Sequence, residues 1–264
     1  MLDAKSFICY NLFIKEKEKK KKMKNIYCTL DTETFGGASN PKGIYHLAGF
    51  IHDRKGCVIA PFNYLIAEYF DEINKDEYAK KNFNRYLEMV ENGAVTMVDT
   101  EKHAIEMVDA LCSCYGVRYM MAYNTAFDFE KTACCKLIKN REFIDIYLMT
   151  LQTITHLKKY ARFCLENGFC SASGKSCATS AESVYAFLTN NTTYEEEHTA
   201  LEDSKIEMQI FLACVATHKK YTKNTHQWNC KKGKCFPKWD DNFQKMTSIE
   251  RRLNKLLETA DALN

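Results

Sequence analysis

Three runs near the start of the chain, residues 25–30, 44–52 and 57–65, carry the Ile, Val, Tyr, Phe and Thr content of β-strands, and a turn-forming stretch at 53–56 joins the last two as a hairpin. The first run continues into Asp31-Thr32-Glu33-Thr34 and breaks at Gly36-Gly37. Residues 68–91 are helical in composition. A second helix follows Thr100, where Ile105, Val108, Leu111 and Cys112 recur at helical spacing as one apolar face. A strand at 118–123, a helix at 129–137 and a strand at 143–148 come next. Residues 156–190 are helical with a Gly/Ser-rich interruption at 171–175, and a last long helix starts near Thr199 with Ile206, Ile210, Phe211, Cys214 and Val215 on one side. An opening meander followed by alternating strands and helices predicts an α/β fold, a mixed sheet flanked by helices.

Two end segments break this pattern. Residues 1–22 hold a weak apolar patch, a Lys-Glu-Lys-Glu run and four more lysines before Met23, and read either as a disordered basic arm or as a leader ahead of a true start at Met23. Residues 219–264 form a C-terminal helical extension: a lysine-rich linker with Tyr221, Trp228, Phe236, Trp239 and Phe243, then an amphipathic helix over 249–260. The folded unit is expected to span 23–218.

Composition narrows the class. With 46% hydrophobic and 27% charged residues in 264, the chain is an ordinary globular one. No apolar run reaches the roughly 18 residues of a membrane span, and the lysine run follows the first apolar patch instead of preceding it, unlike a secretory signal. A cytoplasmic protein with no membrane partner is expected. The 13 cysteines are odd in number, and Cys112, Cys114, Cys134, Cys135, Cys164 and Cys214 lie in apolar stretches, which favours reduced thiols acting as small hydrophobes. The net charge of +3 comes from the leader, since residues 23–264 carry 30 basic and 31 acidic groups. A nucleic-acid partner therefore has no support from bulk charge, and any case for one rests on the site.

Three short segments carry candidate chemistry. Asp31 and Glu33 are two apart on a strand, so both point to one face; two carboxylates held together repel unless a cation lies between them, and such oxygens suit Mg²⁺ or Mn²⁺. In Asn124-Thr125-Ala126-Phe127-Asp128 a strand gives way to a helix, with Thr125 and Asp128 spaced as a capping pair at a strand end, where ligands gather in α/β sheets. His198 and Asp203 are five apart, and on one continuous helix they would point about 140° away from each other. Thr199 and Glu202 have the spacing of a capping box, which puts His198 on the loop before the helix and lets it turn toward Asp203.

In their order and spacing, Asp31-x-Glu33, Asn124-x-x-x-Asp128 and His198-x-x-x-x-Asp203 resemble the three motifs of the DEDDh (DnaQ-like) 3′–5′ exonucleases, over residues 24 to about 218. Thr199 stands where a sister branch carries tyrosine, so the histidine branch is the better match. The resemblance implies a ribonuclease H-like fold and a two-metal mechanism. It implies that Asp31 bridges both ions, that Glu33 and Asp203 hold one, that Asp128 holds the other and that His198 is the base. The implied partners are single-stranded DNA or RNA 3′ ends, with DNA slightly favoured, and the implied products are nucleoside 5′-monophosphates. A non-catalytic binding or polymerase-docking module on the same fold is the contrasting possibility.

Thr32, Thr34, Phe35, Asn124 and Phe127 flank the carboxylates and are the expected substrate contacts, the phenylalanines by stacking on a terminal base. Asp145 is read as a helix start. His226, Cys230 and Cys235 hint at zinc, but the spacing departs from Cys-x₂₋₄-Cys and a fourth ligand is missing, so zinc is the weaker reading. The basic aromatic stretch can serve as a single-strand patch or as a solvated linker, and the terminal helix can pack on its own domain, on a polymerase or on a second protomer.

Overall fold

The strand that carries the Asp-x-Glu pair lies at the centre of the sheet. The computed structural model describes residues 25–35, 41–77, 79–170 and 177–217. The chain runs β1 (Ile26–Thr34), β2 (Ile44–Asp53), β3 (Val58–Ile66), a single turn α1 (Phe70–Ile73), α2 (Phe83–Glu91), β4 (Thr96–Val98), α3 (Glu101–Tyr115), β5 (Tyr119–Ala122), β6 (Glu142–Asp145), α4 (Ile146–Thr153), α5 (Lys158–Asn167), α6 (Ala181–Thr189) and α7 (Ala200–Ala216). The strands form one mixed sheet of order β4-β3-β2-β1-β5-β6, in which β1, β2 and β3 pair antiparallel and β4, β5 and β6 add in parallel. The α/β class with a helix-flanked mixed sheet is thus as expected.

The period-2 alternation of β1 sorts its side chains between two cores. Ile26, Cys28 and Leu30 join the core under α3, whereas Tyr27 joins the core built with Ile206, Ile210 and Phe211 of α7. Asp31 and Glu33 share the parity of Tyr27, so they face α7. Pairing of β1 with β5 ends at Thr29 opposite Met121, and the two acids therefore stand beyond the carboxyl end of β5. Gly49 lets β2 lie close against this segment: opposite Leu30, a Cβ on it would sit 2.3 Å from the Thr29 carbonyl oxygen. Past Glu33 the register skips Tyr45, a bulge that turns the end of β1 beside its second carboxylate.

Several elements differ from the sequence expectation. The helix expected over 68–91 is broken into short turns before α2, and the three-residue β4 extends the sheet edge. In place of a regular helix over 129–137, a wide π-type turn (Ala126–Lys131) is followed by a 3₁₀ stretch (Ala133–Ile138). The strand expected to reach residue 148 stops at Asp145, whose carboxylate accepts the Leu148 N–H and starts α4, the role read for it in the sequence. Cys112, Cys134, Cys164 and Cys214 are buried as small hydrophobes, while Cys114 is exposed and Cys135 half-buried; all ten cysteines among the described residues are free. No described helix is long and apolar enough to cross a membrane. The leader, the Gly36-Gly37 break, the interruption at 171–175, the His226/Cys230/Cys235 group and the extension from residue 219 lie outside the described residues.

Candidate active site

Where α7 begins determines where Asp203 sits, and a histidine of the sheet fixes that point. His46, opposite Glu33 on β2, is fully buried; its Nδ1 accepts the Ala200 N–H at 3.2 Å and its Nε2 lies 2.7 Å from Asn63 Oδ1. Because the Ala200 amide can only donate, Nδ1 is the acceptor and Nε2 carries the proton toward Asn63. Thr199 does occupy the N-cap position, but its side chain makes no capping bond, so the capping box is replaced by an imidazole from a distant strand. Burial holds His46 neutral, pushing its pKa down to about 4 against the help of Asn63. The folded pKa is depressed, so this support is complete above the ordinary imidazole range and lost as pH falls through about 4. His46→Ala, which leaves the Ala200 amide unpaired beside a new cavity, is expected to cost about 2–4 kcal/mol in urea unfolding at neutral pH.

Asp31 and Glu33 from β1 and Asp203 from the first turns of α7 each offer a carboxylate oxygen, and these oxygens lie within 4.8 Å of one another. This triad can hold a metal ion. Asp128 lies just outside it, 1% exposed, with Oδ1 accepting the Thr32 hydroxyl at 2.7 Å. Thr125, expected to cap its own turn, instead donates to Asp145 Oδ2. That bond and the Thr32–Asp128 bond draw the segment away from regular helix geometry. Between β5 and α4, Asn124 takes a left-handed backbone with φ of 70°.

Asp31 and Asp203 open on a cavity of about 520 Å³ that Glu196, Glu207, Asn124 and Tyr147, among others, also line. Two of these acids, Glu196 and Glu207, escaped the sequence reading. Glu207 did leave a signal, since an acid one turn past Asp203 interrupts the apolar stripe of α7. Glu196 is the middle one of three consecutive acids before His198, and nothing in that run singles it out.

Every acid here is pushed toward its neutral form, mainly by burial and then by its neighbours' charge. Asp31 rises to about 7, with Glu196 adding repulsion and a Thr32 hydrogen bond opposing. Asp203 rises to about 9, with Asp31, Glu196 and Glu202 adding and Arg85 opposing. Burial carries Glu196 to about 7, and lifts Glu33, Asp128 and Glu207 well above the usual carboxylate range. Asp203 Oδ1 is buried with no hydrogen-bond partner. Hard oxygen donors crowded together, one of them orphaned, are the donor set a divalent cation fits.

His198 lies on the loop before α7, as expected, with φ of 51°. The structure does not turn its ring into the cavity: the side chain is 71% exposed, and Nδ1 lies 4.0 Å from Glu196 Oε2. Asn82 holds the loop by donating to the His198 carbonyl at 2.8 Å, and Arg85 pairs with Glu197. Among the expected substrate contacts, Asn124 lines the cavity. Thr34 and Phe127 are half-buried. Thr32 is turned inward to Asp128, and Phe35 is core, its ring 4.9 Å from Tyr45 and 5.5 Å from Tyr69, which leaves it no free face for a base. The chain matches no protein-family model and no curated protein.

Proposed function

We propose that this chain is a 3′–5′ exonuclease of the DEDDh kind on a ribonuclease H-like fold, trimming single-stranded nucleic acid, DNA in preference to RNA, to nucleoside 5′-monophosphates. The observation that carries this reading is the meeting of Asp31, Glu33 and Asp203 around one point, with Asp31 and Asp203 lining an open cavity. Asp128 stands next to them and His198 at the rim. Mg²⁺ or Mn²⁺ ions, held by Asp31, Glu33, Asp128 and Asp203, would supply the positive charge that stabilises the attacking and leaving oxygens of the phosphodiester.

The chain's own groups do the rest. Asn124 and Tyr147 form the wall against which the terminal nucleotide rests, in a cavity whose volume falls within the usual range for ligand sites. His198, turned inward about its loop, takes the proton of the attacking water on Nε2 while Nδ1 faces Glu196. Catalytic contacts that are long in a free enzyme commonly tighten around substrate. Oligonucleotides of equal sequence, one DNA and one RNA, test the reading. With Mg²⁺ present the chain is expected to shorten them from the 3′ end, DNA faster, releasing 5′-monophosphates, and to stop on chelation. Cleavage that is internal, or that persists in chelator, would exclude it.

A further inference from the structure

Glu207 sits on α7 one turn beyond Asp203, where the helix is otherwise apolar, with Ile206, Ile210 and Phe211 in the core. It is 4% exposed and lines the same cavity. One end of its carboxylate accepts the backbone N–H of Tyr123, at the end of β5, while Oε2 is buried with no partner. The negative charge it faces comes first from Asp31, then from Asp128, then from Asp203. An ionised carboxylate in this place lacks a counter-charge, and a protonated one lacks an acceptor for its O–H. Neither form is satisfied by the protein alone, and a buried group in that position is costly.

A cation resolves both problems. The triad already gathers Asp31, Glu33 and Asp203 around one point, and Asp128 and Glu207 both lie outside it. A second ion bridged by Asp31 would have only Asp128 as a further protein ligand, with one oxygen of that group already engaged by Thr32. We propose that Glu207 is a fifth carboxylate ligand of the acidic centre, holding the second divalent cation together with Asp31 and Asp128. The proposal rests on the two-cation reading of this site and adds a ligand that the motif resemblance does not supply.

The test is Mn²⁺ binding to the full chain without substrate, followed by titration calorimetry and by loss of the free-ion electron paramagnetic resonance signal. Wild type is expected to take up two ions. Glu207→Gln keeps the shape and an oxygen for the Tyr123 N–H. It is expected to weaken the second ion by about 10–100-fold and to leave the first within a factor of about two. Its thermal midpoint in chelator should equal or exceed that of wild type, because a buried acid has been neutralised. Should that variant fail to fold, Glu207→Asp, which keeps the charge and withdraws it by one methylene, is expected to show the same selective weakening. Two ions bound with wild-type affinities in a folded variant would overturn the role of Glu207 while leaving the exonuclease reading intact. No Mn²⁺ uptake by wild type would overturn both.

Discussion

Replacing Asp31 by Asn is expected to abolish nucleotide release, by at least about 10³-fold, while making the metal-free protein more stable. The first effect follows from position: Asp31 is the acid that Glu33, Asp128, Asp203 and Glu207 all feel, so its loss removes the point shared by the whole centre. The second follows from burial. The Asp31 pKa is raised in the folded chain to about 7, so the stability tied to its neutral form is complete below about pH 4 and lost as pH rises through 7. The Asn variant escapes that loss. At pH 8 in chelator its melting midpoint should exceed wild type by about 2–4 °C, the effect of ~1 kcal/mol once the partial exposure of the group is allowed for, and at pH 4 the two should coincide. Added Mg²⁺ at a hundredfold excess over its Kd stabilises wild type by about 2.7 kcal/mol per site and should do far less for the variant. Equal stabilisation of both proteins by Mg²⁺ would show that the ion binds elsewhere.

Removing the imidazole of His198 should lower kcat by about 10²–10⁴-fold and leave Mn²⁺ affinity unchanged. The separation is the point of the experiment. His198 lies outside the triad, its ring exposed at the rim, so it can act on a proton without holding a cation. Free imidazole added to His198→Gly should restore part of the rate, which a merely structural histidine would not allow. If His198→Ala instead keeps the full rate, the proton acceptor is Glu196, the other rim group, whose carboxyl is carried by burial to about 7.

Much of this arrangement was legible in the residues. Strand parity placed Asp31 and Glu33 on one face, and the start of α7 at Ala200 put His198 off the helix and Asp203 on it. The capping spacing of Thr199 and Glu202 does not set that start, because the bond that fixes it comes from His46, more than 150 residues earlier, and no local pattern encodes it. The turn at Ala126–Lys131 is likewise set by Thr32 and Asp145, on other strands, which override a helical composition. The place of Phe35 beside the acids suggests a stacking platform, yet the bulge after Glu33 leads the strand into a cluster of tyrosines. Glu207 was readable as an acid in an apolar stripe, whereas Glu196 depends on the path of a loop.

The bond from His46 to Ala200 also bears on which parts of this chain can vary. The first turn of α7 is registered to the sheet, so Asp203 keeps its place independently of the loop's path ahead of Glu196, while Asn82 and Arg85 hold the stretch Glu197–His198 that must stay at the rim. A sequence grafted ahead of Glu196 is therefore expected to change what can approach the cavity while the acidic centre and His198 stay where they are.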